Sequence, residues 1–305
     1  MTPSAIVTTE INADAIGIAL QQHQQAILAS LLVSAWMVEA RDPYTGGHLW
    51  RVSQFAMILA RKAGLPEAEV QRIAVAGFLH DLGKIGIPDA ILGKPGGLTE
   101  EEYDVIKTHP RIGSRMLAGH PLASLVDAAV LMHHEMPNGK GYPLGLSGND
   151  IPIDARIIGV CDAFDAMTSA RPYRKGMARE QAQRIIDNSL GQQFDETFGR
   201  LLIEIGDAGE LDHVIAHSDE GIPLLACHVC GPTIVRRSDQ HAGSQLACPS
   251  CQGAFELGTD DQANFLNRRA TPHELEVVPD RSVINALVSD WARKYEMSTR
   301  PEVVA

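Results

Sequence analysis

In the stretch FLHDLGKIGIPDAIL, Phe78 to Leu92, His80 and Asp81 stand side by side and Lys84 follows three residues later. A neutral imidazole is the commonest protein ligand for transition metals, and a carboxylate can complete or bridge such a site. Further candidates lie in separate stretches: His48 in DPYTGGHLWRV, His109 in KTHPRIG, His133 and His134 in VLMHHEMPNGKGYP, and Asp162 in GVCDAFDAMT. Each sits on or at the end of a helical pattern, beside apolar residues suited to face a core. Two cations about 3.5–4 Å apart need a bridging carboxylate and activate water for in-line attack on phosphorus. Asp81 is the candidate bridge, because each of its oxygens can take one metal while His80 fixes the first. Alone, any of these histidines reads as an ordinary side chain, as do His23, His120, His213, His217, His228, His241 and His273. The adjacent pair His133–His134 weighs more, since two imidazoles buried together are hard to satisfy without a metal.

A second constellation is made of sulfur. CHVCG and CPSCQ place Cys227, Cys230, Cys248 and Cys251 as two C-x2-C pairs separated by 17 residues. Each pair can form a tight knuckle presenting two thiolates to one tetrahedral Zn²⁺ at about 2.3 Å. Turn residues (Gly231, Pro249) and short β-prone runs on either side agree, so this region resembles a zinc ribbon whose folding depends on its metal. The fifth cysteine, Cys161, reads as a small buried apolar residue. Arg236 and Arg237 are the only basic pair in the ribbon, with no aromatic ladder, so a protein-interaction or scaffold role is favoured over nucleic-acid binding.

The elements that must position these groups follow from hydrophobic period. The expected fold is mainly α: an all-helical domain over 26–217, a polar lead-in over 1–25, a small β module over 221–258, and a connector with a C-terminal helix over 259–305. SQFAMILARKAG carries Phe55, Ile58 and Leu59 on one face and stops at Gly64. EAEVQRIAVAGFLHDLG carries Val70, Ile73, Val75, Leu79 and Leu82, with Pro66 as a first-turn proline. Thr99 and Glu102 form a capping-box pattern. Ile157, Val160, Phe164 and Met167 give the helix around Asp162 its apolar face, and Gly191 marks the C-cap of REQAQRIIDNSLG. In the last helix Val283, Leu287, Trp291 and Tyr295 recur at i, i+4 as a docking stripe.

Bulk properties narrow the function. At 305 residues with 45% hydrophobic and 21% charged residues, the chain can bury a sizeable core. A net charge of −12 argues against general attraction to nucleic acid or anionic membrane, so an anionic substrate needs metals or a local basic patch. The apolar run from Ala26 to Val38 falls short of the roughly 20 residues that cross a bilayer. No Lys or Arg precedes Arg41, so a signal peptide's basic region is missing. A cytoplasmic protein is expected.

Taken in order, DPYTGGHLWRV, HDLGKIGIPDAIL, HHEMPNGKGYPLGLSGNDIP, DAFDAMTSARPYRK and GQQFDET resemble the signature segments of the HD-GYP phosphohydrolases, a branch of the HD superfamily. The branch takes its name from the His-Asp pair and a Gly-Tyr-Pro motif, here Gly141-Tyr142-Pro143. The resemblance runs from about residue 28 to 205. It implies a helical phosphohydrolase with a dinuclear iron or manganese centre. One metal would be held by His48, His80, Asp81 and Asp162, the other by Asp81, His109, His133 and His134. The family hydrolyses the bacterial second messenger cyclic di-GMP to linear pGpG and, in many members, GMP. By the same resemblance Lys84 would sit near the scissile phosphate, and Tyr142, Arg171, Arg174 and Asp165 would contact the cyclic dinucleotide. Arg171, Arg174 and Lys175 supply the local basic patch, with guanidinium forks suited to phosphate oxygens.

The sequence departs from the family pattern at three places. Tyr44 stands where some members carry a Glu that binds a third metal, so two are expected. Met136 replaces an Arg that commonly follows His-His-Glu, and Asn138 replaces a frequent Asp; neither removes a metal ligand. Two other readings follow: an HD phosphohydrolase acting on another nucleotide, and a receptor that binds cyclic di-GMP without turnover and signals through the ribbon.

Overall fold

A computed structural model of the chain describes residues 13–41, 46–94, 96–170, 175–276 and 280–299. It opens with a long helix, α1 (Ala13–Glu39), which starts well inside the expected lead-in. Then follow α2 (His48–Lys62), α3 (Glu67–Leu79), a 3₁₀ turn at Leu82–Gly86, α4 (Asp89–Leu92), α5 (Glu100–Ile106), α6 (His109–Leu117), α7 (Ala123–Met132), α8 (Ile153–Thr168), α9 (Arg179–Asn188) and α10 (Glu196–Asp207). The helical core joins Leu28, Leu32 and Val38 of α1 to Phe55 and Leu59 of α2, Val70, Ile73 and Leu79 of α3, and Ile157, Val160 and Phe164 of α8. Cys161 lies fully buried in that core, as a small apolar residue would.

Local signals set several boundaries. Gly64 adopts φ +75°, just past the end of α2, and the Thr99–Glu102 capping box opens α5 with both reciprocal bonds made. Further boundaries differ from the sequence reading. Pro66 is the extended N-cap of α3, not a residue of its first turn. Helix α9 ends at Asn188, and Gly191 (φ +70°) lies in the following turn, where its N–H donates to Phe194 O.

The cysteine module holds β1 (His217–Asp219), β2 (Ile222–Pro223), β3 (Leu225–Cys227), β4 (Gly231–Ile234), β5 (Gln245–Ala247), β6 (Gly253–Leu257) and β7 (Ala263–Arg269). These strands pair antiparallel as β1-β2, β3-β4 and β5-β6-β7. Strand β7 falls in the segment expected to be a polar connector. Its side chains are mostly exposed, so apolar alternation could not announce it; pairing with β6 makes it a strand. Leu225, Ile234, Leu246, Phe255 and Leu257 make a small separate core around the cysteines.

The last helix, α11 (Arg281–Thr299), returns to the helical domain and packs on α1 and α3. Val283, Ile284, Val288, Trp291 and Ala292 are buried and Leu287 is half-buried. The side chain of Tyr295 lies outside the described residues. Among the described residues, no helix is long and apolar enough to cross a membrane.

Candidate metal centre

The ligand candidates come from helix ends that converge on one buried point. His48 opens α2, His80 and Asp81 follow the end of α3, His109 opens α6, His133 and His134 follow α7, and Asp162 lies on α8. Close backbone approaches bring these ends together. A Cβ on Gly83 would lie 1.9 Å from His109 O and 2.5 Å from Gly113 N, so only glycine lets the 3₁₀ turn pass α6. On Gly159 it would lie 2.7 Å from His133 O, which seats the end of α7 on α8.

Hydrogen bonds then fix the rings. The Nδ1–H groups of His80, His109 and His133 donate to the carbonyls of Gly77 (2.7 Å), Ile106 (2.8 Å) and Val130 (2.9 Å), each three residues back. His48 Nδ1 donates to Asp165 Oδ2 at 2.8 Å. The rings of His80, His109 and His133 are thereby held in the tautomer that leaves Nε2 as a bare lone pair aimed inward. His80 Nε2 is buried without a hydrogen-bond partner, and the Nε2 atoms of His109 and His133 face each other at 3.2 Å. Lone pairs so placed repel unless a cation joins them, so the donor set fits a metal.

Asp81 lies between two groups of donors. Its Oδ2 is 3.3 Å from His80 Nε2 and 3.7 Å from His48 Nε2; its Oδ1 is 3.3 Å from His109 Nε2. Asp162 Oδ1 completes the first group at 3.5 Å from His48 Nε2. Donor atoms of His48, His80 and Asp162 lie within 4.8 Å of one another, as do those of His109, His133 and His134. Lys84 Nζ pairs with Asp81 Oδ2 at 2.7 Å.

Electrostatics divides the two groups. Burial, then mutual repulsion among the imidazoles, pushes His133 well below the usual histidine value and His134 down to about 3. Both stay neutral and ready to donate. Burial works against a charged His48, but the carboxylates of Asp165 and Asp81 outweigh it and carry its pKa up to about 10. A field that favours a proton there favours a metal cation as well. Burial likewise opposes charge on Asp81, yet Lys84 and His80 hold its carboxyl well below the usual range.

Tyr142 stacks on His134, with ring centroids 4.7 Å apart and planes 30° from parallel, at the rim of the centre. Glu135, missed in the sequence reading, is buried and shapes this rim. Its carboxylate accepts the backbone N–H groups of Leu144 (2.6 Å), Gly145 (3.2 Å) and Leu146 (2.8 Å). Gly141 permits the fold of the loop, since a Cβ there would lie 2.3 Å from Met136 N. Asn138 Oδ1 accepts Lys140 N–H at 2.9 Å and so tightens the turn before it.

One assignment is corrected. Asp165 was expected at the substrate, but it is 1% exposed and sits behind His48, its oxygens taken by His48 and Arg51. It orients the His48 ring from behind. Arg51, also missed, is visible in HLWRV only as a basic residue one turn after His48 on a helix that must be buried. Arg171, Arg174 and Tyr44 lie outside the described residues. Lys175 is exposed.

In the second constellation the four Sγ atoms lie within 4.8 Å of one another, and none is in a disulfide. Cys227 Sγ and Cys251 Sγ stand 3.5 Å apart, close to the roughly 3.8 Å expected between thiolates at the corners of a zinc tetrahedron. Burial disfavours a Cys248 thiolate, but Thr233 Oγ1 and the N–H groups of Cys251 and Ser250 outweigh it and lower the thiol's pKa.

A family model described as HD domain matches residues 33–198. The cyclic di-GMP phosphodiesterase response regulator RpfG of Xanthomonas campestris is 46% identical over 178 residues, covering 58% of this chain and 46% of the relative. A cyclic di-GMP phosphodiesterase of Thermotoga maritima is 40% identical over 192 residues, covering 61% and 52%. Cyclic di-GMP phosphodiesterase PA4108 of Pseudomonas aeruginosa is 40% identical over 194 residues, covering 63% and 46%. The chain thus spans about half the length of these curated relatives.

Proposed function

Because this chain belongs to the HD domain family, we propose that its histidine–aspartate centre is a metal-dependent phosphodiesterase site that hydrolyses cyclic di-GMP to linear pGpG or on to GMP. The observation that carries the reading is Asp81, whose two oxygens face two separate groups of imidazole nitrogens. In this reading His48, His80, Asp81 and Asp162 hold one iron or manganese ion, and Asp81, His109, His133 and His134 hold the other. Bound divalent cations supply Lewis-acid neutralisation of phosphoryl charge and lower the pKa of water.

The chain's own residues do the rest. Their fixed tautomers keep the Nε2 lone pairs directed at one point, so little reorganisation is needed on binding. Lys84 keeps a positive charge against Asp81 and can turn its three donors to a phosphate oxygen at the rim. Tyr142 offers an aromatic surface beside His134 for a guanine base. Arg171 and Arg174 hold the phosphates. The four cysteines hold a structural Zn²⁺, and the ribbon serves as a docking point for a protein partner. Four cysteines free of disulfides fit a cytoplasmic setting.

The test is anaerobic purification, iron, manganese and zinc measured per chain, and chromatography of cyclic di-GMP after incubation. Turnover that disappears with the histidine-bound metal supports the proposal. Retained turnover in Asp81→Asn with that metal gone removes it. Tight binding of cyclic di-GMP by loaded protein with no product favours the receptor reading instead.

A further inference from the structure

We infer that Arg51 is a positioning residue that ties the His48 ring to the root of the cysteine module, so that cation affinity on the His48 side depends on how that module packs. The inference rests on the metal reading above and concerns the supports behind one ligand.

Arg51 lies one helical turn after His48 on α2, so both side chains share a face. Its guanidinium is buried, and a guanidinium has five N–H groups to satisfy. All find acceptors. Nε donates to Asp165 Oδ1 at 2.6 Å; Nη2 donates to Asp165 Oδ2 and Ser169 Oγ, each at 3.1 Å. Nη1 donates to Gly46 O and to His217 O, each at 2.9 Å. Asp165 Oδ2 also accepts the Nδ1–H of His48. A continuous chain of bonds, buried from Arg51 onward, therefore runs from His217, the first residue of β1, through Arg51 and Asp165 to the His48 imidazole.

The same place carries the close contact between the two modules. A Cβ on Gly47 would lie 2.8 Å from Ser218 Cα, and one on Gly46 would lie 2.6 Å from Val235 Cγ2. Gly46 and Gly47 immediately precede His48, while Val235 follows β4 directly. The modules also border a cavity of about 960 Å³ lined in part by Trp36, Trp50, Leu246 and Leu275, and Ser238 hydrogen-bonds Asp280 just before α11. The position of the module reaches α2 at the glycine turn and at Arg51. The cysteines in turn hold β3 and β4, because Cys227 ends β3 and Cys230 precedes β4.

Lysine cannot replace this arginine, having one ammonium where five fixed donors are needed in a plane. Losing the fork leaves Asp165 buried and underbonded and frees the His48 ring to turn, while His109 and His133 keep their own backbone anchors.

The experiment is calorimetric titration of Mn²⁺ into full-length protein whose cysteine site is zinc-loaded, with zinc content and circular dichroism recorded in parallel. Wild type is expected to take up two Mn²⁺. Arg51→Lys is expected to stay folded and keep zinc and one Mn²⁺ at unchanged affinity, while the other step weakens at least tenfold. The affected step is the one missing in His48→Ala. Gly46→Ala, which among the described residues pushes on Val235, and wild type stripped of zinc should weaken that same step several-fold. Unchanged affinity of both steps in Arg51→Lys overturns the inference, and so does equal weakening of both, which marks a merely structural role. Stripped zinc without effect removes the dependence on the module. Should Arg51→Lys unfold, Gly46→Ala decides alone by the same criterion. Wild type taking up no Mn²⁺ overturns the metal reading and this inference with it; two unperturbed steps in the variants overturn this inference alone.

Discussion

His134 shows how burial keeps an imidazole neutral. In the unfolded chain a histidine titrates near 6.5. In the fold, burial and the neighbouring His109 bring it down to about 3, and His133 is lowered too. A folded value below the unfolded one means that the unfolded state binds more protons as the solution turns acid. This contribution to stability is complete above pH 6.5 or so and is lost progressively as the pH falls toward 3. The urea midpoint of the metal-free protein should therefore drop steadily between pH 7 and pH 4.5, and His134→Gln should flatten the curve. A midpoint independent of pH over that range would contradict the buried, neutral pair. Gly83 offers a second prediction at this scale. Gly83→Ala places a methyl group against His109 O, so it should cost about 3 kcal/mol or more by denaturation and displace His109. Residue types made the histidines and aspartates that converge at the centre legible in the sequence. What type cannot give is direction: Asp162 and Asp165 are spaced one turn apart on α8, yet one faces the centre and the other supports His48 from behind.

At the scale of elements, helical period was informative because most helices bury one face against a shared core. It fails where backbone pairing or a local turn decides. Strand β7 and the 3₁₀ turn after His80 carry no apolar pattern of their own. The loop over Gly141–Leu146 is another such case, since its shape depends on Glu135, a residue whose neighbours His133 and His134 draw all the chemical interest. Three backbone N–H groups converge on that carboxylate, a charge-assisted arrangement that no single turn residue replaces. Glu135→Ala should loosen the loop that carries Tyr142 while leaving every metal ligand in place. Metal content should stay unchanged as KM for cyclic di-GMP rises about tenfold. Loss of metal in this variant would show instead that Glu135 supports the imidazoles themselves.

Across the whole molecule, order along the chain and order in space diverge. The cysteine module interrupts a helical domain that is completed only by α11, whose Val283, Ile284, Val288, Trp291 and Ala292 join the core begun by α1. The sequence marks the amphipathic stripe of α11 but not its destination, because a stripe records only that some apolar partner exists. Its partners prove to be α1 and α3, and α3 runs directly into His80 and Asp81. A helix more than 200 residues away in sequence thus supports the element that presents the central carboxylate. Trp291 is buried in that contact, so Trp291→Ala should cost about 3–5 kcal/mol in chemical denaturation. Because the cysteine cluster has its own small core, zinc content should survive the substitution, and the loss should fall on the helical domain and its histidine-bound metal. If Trp291→Ala releases zinc and leaves the helical transition unchanged, α11 belongs energetically to the cysteine module, and the centre must be held by α1 and α3 without it.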